Sequence, residues 1–142
     1  LPEMSVLMFQ LHPQLAADTV PVANWPLCQL LLIKDANYPW LVLVPARDDL
    51  RDFDDLAPDD LQQASAEIVR ASRALKTVFT PDKINVGALG NMVPQLHIHV
   101  IARFADDPAW PQPVWGVVPA LPYTADALES RLTLLRDAFG AS

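Results

Sequence analysis

The chain has 142 residues, 51% of them apolar, and a formal net charge of −7. That length and composition suit one soluble domain with a real core and exclude a disordered chain. The acidic balance, with no basic cluster longer than a pair, excludes a nucleic-acid polymer as partner but leaves room for a small phosphorylated ligand.

The first 26 residues give one short apolar run, SVLMFQL, followed by irregular chain punctuated by Pro13, Pro21 and Pro26. LPEMSVLMFQ has no basic leader ahead of an apolar segment, and no run in the chain reaches the roughly 18–20 apolar residues that cross a bilayer. A cytoplasmic protein is therefore expected. LCQLLLIKD (Leu27 to Asp35) and WLVLVP (Trp40 to Pro45) read as two short strands joined by a hairpin turn, ANYP. Their nearly continuous hydrophobicity predicts cover on both faces, by helices on one and by a loop or a partner on the other. The single cysteine, Cys28, lies in this run and reads as a small buried hydrophobe; alone, it excludes an internal disulfide and a Cys-rich zinc site.

A helix is predicted from Pro58, with Asp59 and Asp60 favourable in its first turn. Leu61, Ala64, Ile68, Ala71, Leu75 and Val78 form its apolar stripe, and Pro81 ends it. KINVGAL reads as a strand entering a glycine-containing loop, and QLHIHVIARF as the next strand. DDPAWPQPVWGVVPALP is irregular. A last helix follows Thr124, an expected N-cap, with Leu128, Leu132, Leu135 and Phe139 as its stripe. Strands and helices segregate rather than alternate, which predicts one α+β domain over residues 1–142 with an antiparallel sheet.

NMVPQLHIHVIARF carries two of the three histidines. Strand alternation puts Gln95, His97 and His99 on one face and Leu96, Ile98 and Val100 on the other. Gly87 and Gly90 just upstream permit close approach of backbone amides to a ligand oxygen. Two imidazoles one strand repeat apart can divide labour. One attacks phosphorus if its Nδ1–H is held by a carbonyl, and the other binds a phosphate oxygen or passes a proton. Gln95 can hydrogen-bond but does not titrate in that range. The same pattern also admits solvated or structural histidines. It admits a metal site too, although the third ligand would have to come from elsewhere, such as His12 or an Asp, and nothing in the sequence places one there. His12, ahead of Pro13, reads as a surface or capping residue.

NVGALGNMVPQLHIHVIARF resembles the signature of the histidine triad (HIT) superfamily of nucleotide hydrolases and transferases, His-φ-His-φ-His-φ-φ with φ apolar. Here the match runs Gln95-Leu96-His97-Ile98-His99-Val100-Ile101. The upstream LLLIKD and PWLVLVP resemble the superfamily's preceding strand pair, so the resemblance covers roughly residues 27–104. DPAWPQPVWG resembles a proteobacterial subgroup with Gln at the first triad position. The resemblance implies a five-stranded antiparallel sheet with two main helices, a homodimer, and chemistry that needs no metal or other cofactor. It implies that His97 attacks phosphorus to form a nucleotidyl-histidine and that His99 contacts the phosphate, with Gln95 in the orienting position. It also places Asn85, Gly90 and Asn91 near the substrate and Asp35 near the ribose hydroxyls.

Three departures accompany the match. Gln95 replaces the first triad histidine, Trp40 stands where many members carry a further active-site histidine, and the turn from Asp35 to Trp40 is shorter than usual. Trp40 is open to two readings, stacking on a base or packing. The Pro/Trp-rich segment 108–116 is open to two as well, covering the site or packing over a sheet edge. The leading expectation is an enzyme that hydrolyses or transfers a nucleotidyl group from a phosphoanhydride or phosphoramidate. The alternatives are a non-catalytic nucleotide-binding or regulatory dimer and a metal-dependent hydrolase using His97 and His99 as ligands.

Overall fold

The computed structural model describes residues 9–140. A short helix α1 (Pro13–Asp18) leads into β1 (Thr19–Asn24), β2 (Cys28–Ile33) and β3 (Trp40–Pro45). The long helix α2 (Pro58–Phe79) follows, then β4 (Lys83–Gly87), β5 (Ile98–Arg103) and α3 (Ala125–Ala138). The five strands form one antiparallel sheet in the order β1-β2-β3-β5-β4. The expected α+β architecture, with a five-stranded antiparallel sheet and two main helices, is present.

The prolines of the first 26 residues concealed two elements. Pro13 opens α1 at a position whose N–H has no helical partner to lose, and His12 caps it, its Nδ1 accepting from the Gln14 N–H at 3.0 Å. Pro21 sits in β1, an edge strand, where the pairing with β2 shifts register between Pro21 and Ala23. An edge strand with a register irregularity is where a strand tolerates a residue that cannot donate. Expecting irregular chain here was therefore wrong. Part of the apolar run SVLMFQL, residues 5–8, lies outside the described residues.

The hairpin of β2 and β3 pairs Leu30 with Leu43 and Leu32 with Leu41. On one face these leucines meet α2 and α3, with Ala64, Ala71, Leu75, Leu132, Leu135 and Phe139. Alanines at the contact let α2 approach the strands closely. The expected stripe on α2 is in the core at Ala64, Ile68, Ala71 and Leu75, with two differences at its margin. Leu61 is exposed, whereas Glu67 is 3% exposed and accepts hydrogen bonds from the N–H groups of Leu27 (3.0 Å) and Cys28 (2.8 Å). A carboxylate that satisfies two buried backbone donors can sit among apolar groups that would otherwise exclude it.

The second face carries Leu31, Trp40, Val42, Val44 and Ile101, covered by Leu15 of α1 and by Ala109 and Val114 of the segment after β5. The chain thus covers both faces of its own strands. Of the two covers expected for this face, a loop or a partner, the chain's own segments supply one. Strand β5 also starts later than expected, at Ile98, so Gln95 and His97 precede it.

Candidate active site

His97 immediately precedes β5 and His99 is its second residue, with Gly87 of β4 paired opposite His99 on one side and Val42 of β3 on the other. Both histidines are buried, at 7% and 6% exposure, with ring centroids 5.0 Å apart. They line a cavity of about 450 Å³ together with Trp40, Asp35, Lys34 and Trp115. Trp115 comes from the Pro/Trp-rich segment and meets His99 edge-on at 5.2 Å and Trp40 at 6.1 Å. That segment packs on the face of the central strands β2, β3 and β5 rather than over a sheet edge, and it contributes a wall of the cavity.

Hydrogen bonding fixes where the protons lie. His97 Nδ1 is 2.7 Å from the Gln95 carbonyl oxygen. A carbonyl only accepts, so neutral His97 carries its proton on Nδ1 and an unshared pair on Nε2. His99 Nδ1 accepts from the Trp40 indole N–H at 2.9 Å, which leaves the proton of neutral His99 on Nε2. Burial, and then the neighbouring His97, lower the His99 pKa from 6.5 to about 4. At neutral pH His99 is therefore an uncharged hydrogen-bond donor beside a histidine with a free lone pair.

Gln95 acts through its backbone on His97 and through its side chain elsewhere. Its Oε1 accepts from the His12 N–H at 2.8 Å, and its Nε2 donates to the Gln10 carbonyl at 3.0 Å. The amide spans two backbone groups of the segment leading into α1. Asp35, 5% exposed, accepts from the N–H groups of Asn37 (3.0 Å) and Leu121 (3.1 Å), tying the β2–β3 turn to the C-terminal segment. Gly90 adopts φ +73°, the left-handed region that favours glycine, and lines a second cavity of about 70 Å³ with His97 and Arg51. Asn91 is exposed in this loop, and neither cavity includes it or Asn85.

Asn85 belongs to a buried network. Its Oδ1 accepts from Arg103 Nη1 at 2.8 Å, while Arg103 Nε and Nη2 donate to Asp107 at 2.8 and 3.0 Å. Asp107 also accepts from the N–H groups of Phe104, Ala109 and Trp110. Burial alone would raise the Asp107 carboxyl, but Arg103 and these N–H groups outweigh it and hold the carboxyl at about 2. This network pins the start of the segment that delivers Val114 and Trp115 over the histidines.

Sequence reading missed Arg51, Lys34 and the Arg103–Asp107 pair. Arg51 and Lys34 are single polar residues in irregular or edge positions, with no spacing to mark them. Arg and Asp at i and i+4 were visible, but the pattern says nothing of burial. Among the described residues no group of three or more His, Cys, Asp or Glu side chains is arranged to hold a metal ion. No helix among them is long and apolar enough to cross a membrane.

The family model of the HIT domain matches residues 14–106, more than half of the chain. The chain belongs to the histidine triad family. Proteins of this family are generally nucleotide hydrolases and transferases. Three solved histidine triad proteins share the whole fold. That of Bradyrhizobium japonicum is 48% identical with a TM-score of 0.90, covering 92% of this chain and 97% of its own. That of Marinobacter aquaeolei VT8 is 44% identical at 0.90, covering 92% and 96%. That of Sinorhizobium meliloti 1021 is 38% identical at 0.91, covering 94% and 98%. No curated protein matches the chain.

Proposed function

We propose that this histidine triad protein hydrolyses or transfers a nucleotidyl group, by attack of His97 Nε2 on the α-phosphorus of a phosphoanhydride or phosphoramidate. The observation that carries this reading is the 2.7 Å contact between His97 Nδ1 and the Gln95 carbonyl, which directs the free lone pair away from the backbone. As the Nε2–P bond forms, the bond from phosphorus to the leaving oxygen or nitrogen breaks, and its electron pair departs with the leaving group. The neutral Nε2–H of His99 donates to a phosphate oxygen on which charge develops. A phosphate leaving group departs as an anion and needs no proton, whereas an amine takes one from solvent. Water then attacks the nucleotidyl-histidine at phosphorus. The Nε2–P bond breaks with its electron pair returning to Nε2, the water proton passes to solvent, and His97 is restored. Trp40 and Trp115 offer aromatic surface for a base, and Asp35 lies on the cavity wall for ribose hydroxyls.

His97→Ala removes the attacking atom. Turnover of diadenosine polyphosphate and of adenosine 5′-phosphoramidate should fall by at least about 10³-fold. Quenched wild-type protein should show an intact-mass gain of one adenylyl group, absent in the variant. Equal turnover by parent and variant would sink the reading.

A second reading, nucleotide binding without cleavage, is favoured by the absence of a third imidazole: Gln95 binds backbone where the triad's first histidine would stand. Tight nucleotide binding with no adduct and no product would select it. We also propose a homodimer, supported by the family resemblance and by the edge strand β4, where Val86 is 53% exposed beside exposed Leu89 and Met92. Light scattering at twice 15.7 kDa is expected, and a mass of 15.7 kDa across micromolar concentrations would refute it.

A further inference from the structure

Trp40 is buried at 8% exposure, and its ring packs against Tyr38 and Trp115 as well as His99. Its indole N–H donates to His99 Nδ1 at 2.9 Å. An indole N–H only donates, so whichever proton is drawn on His99, the nitrogen facing Trp40 must be the bare one. We propose that Trp40 is a positioning residue that locks His99 in the Nε2–H tautomer, so that a neutral imidazole presents a donor to the nucleotide phosphate.

The arrangement of the two rings supports this. His97 is held by a carbonyl acceptor at its Nδ1 and His99 by an indole donor at its Nδ1. The two neighbouring histidines are thereby given opposite Nε2 atoms, one with a free lone pair and the other a hydrogen-bond donor. A protonated His99 would need both ring nitrogens to donate, and at Nδ1 it would meet the Trp40 N–H head on. The low pKa of His99, set by burial and by His97, is consistent with that conflict. The titratable and charged side chains that share the cavity with it are His97, Asp18, Lys34 and Asp35, so carboxylates on two other elements fail to draw a proton onto it.

The catalytic consequence rests on the proposed nucleotidyl transfer, but the tautomer does not, and the two are separable by spectroscopy. In 15N-histidine-labelled wild-type protein at pH 7, His99 should show an imine-type Nδ1 and a protonated Nε2. A coupling across the hydrogen bond should link the Trp40 indole nitrogen to His99 Nδ1. Trp40→Phe keeps an aromatic, though smaller, ring and removes the donor, so it should give mixed tautomers, or a His99 that protonates at higher pH. With adenosine 5′-phosphoramidate, kcat should fall roughly tenfold, the scale of one lost hydrogen bond, with KM changed less.

A protonated Nδ1 on His99 in the wild type overturns the proposal, as does absence of the coupling. A Trp40→Phe spectrum identical to the parent's overturns it too. Should Trp40→Phe not fold, the wild-type tautomer and coupling still decide. If the wild type cleaves no nucleotide while the coupling is present, the transfer reading fails and the lock stands.

Discussion

On the helical face of the sheet, Leu30, Leu32, Leu41 and Leu43 lose their water to α2 and α3, and the contact asks little beyond apolar shape. On the other face, Val42 and Ile101 pack no less tightly, but their cover is a loop and a six-residue helix held by particular hydrogen bonds. Asp107 gathers the loop, Gln95 gathers the segment before α1, and Trp40 and the Gln95 carbonyl gather the histidines. The first face can drift in sequence at small cost as long as volume is kept. The second depends on single polar atoms, and it is the one that holds the cavity.

The difference should appear most strongly in a paired substitution. Asp107→Ala leaves the Arg103 guanidinium, 1% exposed, without its carboxylate, at a cost of about 3–5 kcal/mol. Leu75→Ala, at a fully buried position of α2, costs about 3 kcal/mol through the lost burial and the cavity left behind. Urea unfolding should show losses of similar size for both. Only Asp107→Ala should shift the ring signals of His99 and Trp115, because only it releases the segment above them. Equal disturbance of the site by Leu75→Ala would mean that the two faces are one cooperative unit.

Acid should separate the faces next. His99 takes a proton below about 4 when folded but near its ordinary 6.5 when unfolded. Between those values the unfolded chain binds more protons, so stability falls as pH falls from 6.5 to 4 and the effect saturates below. The loss is on the order of 3 kcal/mol at most. Asp107, whose carboxyl lies at about 2 rather than 3.8, extends the decline, since its stabilisation fades as pH drops through 3.8 toward 2. Stability measured by urea at pH 7 and pH 4.5 should differ in the parent and differ much less in His99→Gln. A parent equally stable at both values would mean that His99 is not held neutral.

How much of this was legible in the sequence follows the same division. The helical face was written in periodicity: the stripe Leu132, Leu135 and Phe139 and the alanines of α2 recur at helical spacing, and β2 and β3 announce themselves by Leu and Val. Glu67 joins the buried face of α2 because its carboxylate accepts from backbone donors at the start of β2, a long-range partner that no local pattern contains. Pro21 hid β1 because only the sheet shows that this strand is an edge. At the site, strand alternation put His97 and His99 on one face, and only the resemblance of the wider segment singled them out as candidates. The proton positions depend on which atoms of Gln95 and Trp40 stand opposite, and that is geometry. Asn85 illustrates the limit: its place on β4 was legible, its engagement with Arg103 was not.

Gln95 gives the smallest effect and the most specific test. In a triad a histidine would stand here, and its loss invites the idea that the site is crippled. The support His97 receives from this residue comes from the Gln95 carbonyl, which any amino acid supplies. The side chain faces the other way, accepting from His12 and donating to Gln10. Gln95→Ala should therefore cost about 1 kcal/mol of stability from the lost hydrogen bonds. Amide exchange should quicken in the 10–14 segment while adenylyl-adduct formation stays within a few-fold of the parent. Gln95→Glu should destabilise more than Gln95→Ala, since a carboxylate oxygen would face the Gln10 carbonyl with no proton between them. An adduct rate that collapses in Gln95→Ala, with the 10–14 segment unmoved, would return the side chain to the chemistry and end the case for a backbone-only role.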